Sequence, residues 1–200
     1  MKKTNEIVSC SDFLKLLKEN KGRVTDPALI VQGGYLTISG KEIGSGTLNI
    51  GGVTFTDMVT IKGFEKQKIS MMIDSSNFLD ILCIEGNSGR HISLSGVKAK
   101  HINLWRCAFE SAFLGGIEVS GDLDISGLQL SEGLTLDKCN FSKMELIHSS
   151  TEDTIKTPRV KTDDPVVAEQ FRLIGVPVFM STEAIRAMME NKAVKRRVAA

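Results

Sequence analysis

Between Leu36 and Leu146 an apolar pair with one residue between its members returns every 20 to 23 residues or so: Leu36/Ile38, Val59/Ile61, Leu82/Ile84, Ile102/Leu104, Leu123/Ile125 and Met144/Leu146. A fixed period of that length marks a repeat architecture, in which each unit buries its apolar side only against its neighbours. A second series lies about half a period away, Leu48/Ile50, Met71/Ile73, Ile92/Leu94, Ala112/Leu114 and Leu134/Leu136. A third runs Val53/Phe55, Ser76/Phe78, Val97/Ala99, Ile117/Val119 and Cys139/Phe141. A fourth holds Ile43, Cys107/Phe109 and Leu128/Leu130, with only Gly89 on the third turn.

From Leu94 onward the centres step by five or six residues. A helix needs spacings near 3.6 and a lone amphipathic strand alternates for longer, so neither accounts for the step. A square coil does: each side is a very short strand with residues i−2 and i inward and i−1 outward. Corners follow at Gly40, Gly52, Gly63, Gly86, Gly96, Gly121 and Gly127, where glycine permits positive φ. The pattern predicts an all-β solenoid of about five four-sided coils, roughly 25 Å long at one coil per ~4.8 Å. A three-sided β-helix with a similar number of residues per coil is the structural alternative.

The run Cys107-Ala108-Phe109-Glu110-Ser111-Ala112-Phe113-Leu114, and Cys139-Asn140-Phe141 after it, place a small residue two before a large centre. In this the stretch from Leu36 to Leu146 resembles the pentapeptide-repeat proteins. The resemblance implies a right-handed parallel β-helix with four faces per coil. The chain departs from the family's habit in holding Leu, Ile or Val at most i−2 positions and in taking six-residue steps.

Two hundred residues suit one domain, and the net charge of +1 gives no global field favouring nucleic acid. By segment, residues 1–32 carry six basic and four acidic groups, 33–150 ten and thirteen, and 151–200 nine and seven. No apolar run follows Met1-Lys2-Lys3, so neither a signal peptide nor a membrane span is expected. Cys10, Cys83, Cys107 and Cys139 form no CxxC pair. Reduced thiols and a cytoplasmic location are expected.

Four segments follow. Residues 1–32 hold a capping helix from Ser11 to about Asn20, with Phe13, Leu14 and Leu17 on one face, and a lead-in strand from Ala28 to Val31. Residues 33–148 are the repeat, within which Lys62 to Lys68 reads as an outward loop and Asn87 to Arg90 as a second turn. Residues 149–163 read as a connector rich in Ser, Thr, Asp and Lys. Residues 164–200 form a helical cap or oligomerisation segment. There Asp163 or Asp164 caps a helix with Pro165 at its first turn and Gly175 at its end, and Ser181 caps a second. Phe171, Leu173 and Ile174 are expected on the last coil, Ile185, Met188 and Met189 toward a partner, and Lys192, Lys195, Arg196 and Arg197 near the final carbonyls.

His101 and Asp122 each sit three before an inward centre, with Lys143 on the next rung. They are the candidate catalytic residues, against the reading of a charge-paired surface column. Asn103, Asp124 and Glu145 make a further polar column, where solvated acids are favoured over a cation site or a glycosidase pair. No cofactor or metal is expected: the histidines fall on different columns, and the glycines of Gly44-Ser45-Gly46 and Gly51-Gly52 lack a helix to present to phosphate. Met72 and Phe113, outward on one side, and Trp105 on another are the candidate interface residues.

The function expected is a non-catalytic β-solenoid scaffold for protein contact, self-associating as a possible homodimer, its other partner unknown. Three alternatives stand beside it. The resemblance implies a DNA mimic acting on topoisomerases, and β-helices also serve as carbohydrate-active enzymes and as polymer-forming cytoskeletal solenoids.

Overall fold

The computed structural model describes residues 5–44, 46–65, 69–147 and 154–198, with side chains described as far as residue 190. In chain order the strands are β1 (Glu6–Ser9), β2 (Arg23–Thr25), β3 (Leu29–Gln32), β4 (Leu36–Ser39), β5 (Thr47–Gly51), β6 (Thr54–Phe55), β7 (Val59–Lys62), β8 (Ser70–Asp74) and β9 (Asn77–Glu85). They continue as β10 (Ser88–Ser95), β11 (Lys98–Trp105), β12 (Cys107–Gly115), β13 (Glu118–Asp124), β14 (Leu128–Asp137), β15 (Asn140–Glu145), β16 (Val160–Thr162) and β17 (Val178–Phe179). The helices are α1 (Cys10–Glu19), the short α2 (Gly40–Ile43), α3 (Pro165–Leu173) and α4 (Thr182–Val198).

These strands build two parallel sheets. One has nine strands along the path β1-β3-β6-β9-β11-β13-β15, with β4 and β7 beside it, and the other has eight in the order β17-β16-β14-β12-β10-β8-β5-β2. From β8 to β16 successive strands alternate between the sheets, so each strand's partner is the next but one in sequence. Parallel neighbours need a crossover of a dozen residues or more; here a strand of the opposite sheet supplies it.

The repeat is visible as register. Leu36, Val59, Leu82, Ile102, Leu123 and Met144 are successive Cα partners across the nine-stranded sheet. Leu48, Met71, Ile92, Ala112, Leu134 and Val160 run likewise across the eight-stranded sheet. All twelve are buried, and the rows of both sheets belong to one continuous apolar core. Period-two alternation turns the intervening residues outward.

Four separate short sides are not what the later part of the chain makes. Early on, β6 and β7 are distinct, yet β9 alone pairs with both. Further along, two expected sides fuse into one strand, with a register shift where the corner was expected, between Ala99 and Ile102 on β11 and between Phe109 and Ser111 on β12. The six-residue steps supply the extra residue that such a bulge absorbs. The corners between sheets are left-handed: Gly52, Ser75, Gly96, Gly116 and Lys138, each just after a strand of the eight-stranded sheet, have φ of 73°, 48°, 59°, 59° and 52°.

Several expectations are corrected. Phe64 is buried, not part of an outward loop, and Ser88 to Arg90 open β10 instead of forming a turn; Lys66, Gln67 and Lys68 lie outside the described residues. The buried Asn87 fills the gap between them, its Oδ1 accepting from the Phe64 amide at 3.0 Å and its Nδ2 donating to the Ile61 carbonyl at 2.8 Å. A side chain at Gly89 would collide with the Ile69 carbonyl, which explains the missing apolar member of the fourth series. Of the 149–163 connector, Val160–Thr162 is a strand in register with Leu134 to Leu136. Residues 6–9, for which no strand is expected, pair with β3.

At the two ends, α1 and α3 pack on the core. Phe13 and Leu17 of α1 are fully buried, and Phe13 meets Phe55 edge-on at 5.2 Å while Phe55 stacks on Phe78 at 4.8 Å. Asp164 caps α3 ahead of Pro165, its Oδ1 accepting from the Val166 and Val167 amides. Phe171 is buried and Ile174 packs half-buried against the core, as expected, but Leu173 is 78% exposed, and the helix turns Val167 and Ala168 to the core beside Phe171. Among the described residues no helix is long and apolar enough to cross a membrane.

Gly96→Ala places a Cβ no closer than 3.5 Å to any neighbour, so its cost should be backbone strain alone, about 1–2 kcal/mol. Asn87→Leu leaves two buried backbone groups unpaired at about 1–3 kcal/mol each. Urea unfolding should therefore find the asparagine variant the less stable of the two.

Candidate binding groove

Outward residues of the eight-stranded sheet form two rows two residues apart. Ser70, His91, Ser111 and Gly133 make one, at the register shift; Met72, Ser93, Phe113, Thr135, Lys161 and Phe179 make the other. A groove of about 490 Å³ lies along them, with Arg159 among its lining residues.

Two glycines seat its larger side chains. A Cβ at Gly133 would stand 2.8 Å from Arg159 Cγ, so only a bare backbone lets that side chain lie across the strand. Arg159 Nε then donates to the Glu132 carbonyl at 3.0 Å. A Cβ at Gly115 would collide with the Phe113 ring, which lies along the sheet and stays 38% exposed. Between them His91 Nδ1 and Ser111 Oγ are 2.6 Å apart.

A hydrogen-bonded Ser–His pair is the start of a nucleophilic site, but the base needs a third group to orient it. Among the described residues no carboxylate pairs with His91; the adjacent Glu110 is drawn to Arg90, 3.7 Å away. The groove is thus equipped with hydrogen-bonding groups, two cations and two aromatic rings. A second groove of about 550 Å³ on the nine-stranded sheet is lined by two lysines and one glutamate, the same formal charge as Arg159, Lys161 and Glu132, and differs in how its cations are paired. Its lysines are taken, Lys98 by Glu118 at 2.7 Å and Lys100 by Asp80 at 3.7 Å, whereas Arg159 and Lys161 form no ion pair among the described residues.

No family model, curated protein or solved structure matches this chain. Its site therefore stands on its own geometry.

The structure brings His101 and Asp122 together, though not as acid and base. The Asp122 amide donates to His101 Nδ1 at 3.1 Å, so that nitrogen carries no proton for the carboxylate, 4.0 Å away, to hold. Lys143, in register with Asp122, hydrogen-bonds Glu145 instead, which raises its pKa. Asn103, Asp124 and Glu145 do share a column, but Asp124 Oδ1 accepts from the Ser126 amide and hydroxyl at 2.9 and 2.7 Å, a turn closure. No group of three or more metal-ligating side chains occurs among the described residues.

Of the interface candidates, Met72 and Phe113 lie on one row with Ser93 between them, and both are exposed. Trp105 is half-buried, with Arg106 over its ring at 5.0 Å. On α4, Ile185 and Met189 are exposed and Met188 is half-buried. The side chains of Lys192, Lys195, Arg196 and Arg197 lie outside the described residues. His91, Ser111, Arg159, Lys161 and Phe179 were not singled out by sequence. The 20-residue spacing of His91 and Ser111, one repeat period, was the available signal.

The cysteines serve packing. Burial pushes the Cys107 thiol up to about 12 and Cys139 to about 11, and their Sγ atoms donate to the Ile84 and Leu114 carbonyls. A folded-state pKa above the ordinary value near 9 means stability that is complete below that value and lost as pH rises toward 12. The urea midpoint should thus fall between about pH 9 and pH 11. Cys107→Val should flatten that fall; an unchanged pH dependence would show that the buried thiol plays no part.

Proposed function

We propose that this chain is a non-catalytic scaffold, a right-handed β-solenoid of the pentapeptide-repeat kind whose adjacent short sides merge into two sheets in its later coils, which works by presenting its outer surface to other proteins and to a second copy of itself. Support for the solenoid comes from strands alternating between two parallel sheets, with apolar rows aligned at one repeat period. Corner residues recurring in the left-handed region at one place per turn support it further.

The observation that carries self-association is where the exposed apolar side chains fall. Val166 and Leu173 of α3 and Ile185 and Met189 of α4 are all exposed, and α4 packs little against the sheets. Clustered apolar exposure of this kind marks contact surfaces. The geometry favours binding over chemistry because, among the described residues, neither His101 nor His91 has a carboxylate that orients it. A DNA mimic needs a strongly acidic rod, and residues 33–150 carry only thirteen acidic groups against ten basic ones. End-to-end polymerisation is disfavoured by α1 and α3, which pack on the core at the two ends.

Analytical ultracentrifugation should find a dimer at micromolar concentration. The double variant Ile185→Glu/Met189→Glu should weaken the association by at least about tenfold, or about 1.4 kcal/mol. A wild-type chain that remains monomeric at high concentration would remove self-association.

A further inference from the structure

We infer that the groove beside Arg159 and Lys161 binds an extended, acidic segment of a partner protein, with the segment's carboxylates on these two cations and its apolar side chains on Phe113 and Phe179. The inference rests on the scaffold reading and adds to it a place and a partner chemistry.

The dimensions suit an extended chain. From Ser93 to Phe179 the outward row crosses four rungs, roughly 19 Å at ~4.8 Å per rung, the length of about six residues of extended peptide. Phe113 and Phe179 stand three rungs apart on that row, with Lys161 between them. A strand-like peptide directs alternate side chains to the same face, so its first, third and fifth residues all face the groove, apolar ones on the two rings and an acidic one between them at the cations. His91, Ser93, Ser111 and Thr135 line the same groove and offer hydrogen-bonding partners to the segment's backbone.

Charge selects the sign of the ligand. Arg159 is held across Gly133 by its Nε bond to the Glu132 carbonyl, a placement that needs the bare glycine. A guanidinium so fixed keeps further N–H groups for a carboxylate, in fork geometry. The corresponding groove on the other sheet has its cations already neutralised, so it lacks this selectivity. Nucleic acid fits less well: duplex DNA carries one charge per ~1.7 Å, while the groove offers two full cations with Glu132 among its lining residues.

The test is fluorescence anisotropy on the full chain with three labelled probes: a hexapeptide with Leu, Asp and Phe at its first, third and fifth positions and Ser elsewhere, the same peptide with Lys for Asp, and hexadeoxythymidylate. The acidic peptide should bind saturably and lose affinity as salt is raised. Lys161→Glu should weaken it by at least about tenfold and, by reversing the charge, improve binding of the Lys peptide, a gain that an unfolded variant would not show. Phe179→Ser should also weaken the acidic peptide. Equal affinity for both peptides, tighter binding of the oligonucleotide, or no effect of Lys161→Glu would each overturn the inference. Peptide binding that persists in Ile185→Glu/Met189→Glu supports a groove separate from the dimer contact. A dimer that binds no acidic peptide removes the groove proposal and leaves self-association standing, and stoichiometric labelling of Ser111 by a fluorophosphonate would overturn both readings in favour of catalysis.

Discussion

Parallel strands can hydrogen-bond side by side only if the chain leaves the sheet and comes back, and in this protein the return always takes one repeat. That constraint fixes the rest. Because each departure up to β16 includes a strand of the opposite sheet, the two sheets grow together, and through the repeat a residue's neighbour above is the one about 20 to 23 positions later. Apolar residues one period apart must then stack, giving rows such as Leu82, Ile102, Leu123 and Met144. The core is built from these rows, and the helices serve its ends.

The same constraint explains what was legible in the sequence. Rows recur five or six times, so each member is supported by all the others, and Leu36 through Met144 could be read without any local signal. Features that occur once could not. Asn87 is polar and reads as turn, yet it is buried because its amide closes two backbone groups that no apolar residue could satisfy. Val160 and Thr162 alternate inward over only three residues, too short to stand out from a polar stretch. On α3 a nine-residue helix left the buried face ambiguous, and Leu173 went to solvent while Val167 and Ala168 went to the core. The fusion of two short sides into β11 or β12 had no compositional mark, since a bulge changes backbone direction without needing a particular side chain.

The outward surface follows a different logic. His101 and Asp122 were expected to meet, and they do, but a backbone amide occupies the imidazole nitrogen that a base would need. Adjacency in a stack is guaranteed by period; chemistry needs orientation, which the period does not supply. The groove on the eight-stranded sheet escaped the sequence because Arg159 enters it from outside the repeat, across a glycine whose role shows only in three dimensions. Among the described residues its Arg159 and Lys161 form no ion pair, unlike the paired lysines of the opposite groove, a difference between two faces that the repeat alone makes alike.

Every part of this fold depends on the stacking of residues far apart in sequence. Asn49, Met72, Ser93, Phe113, Thr135 and Lys161 are successive outward neighbours on one row. Genetically encoded spin labels at Asn49 paired in turn with Phe113, Thr135 and Lys161 should give pulsed electron-resonance distances that rise in equal steps of about 4.8 Å per rung. Distances that fail to increase in that order, or that jump by more than one rung's spacing, would show that the strands do not stack as described.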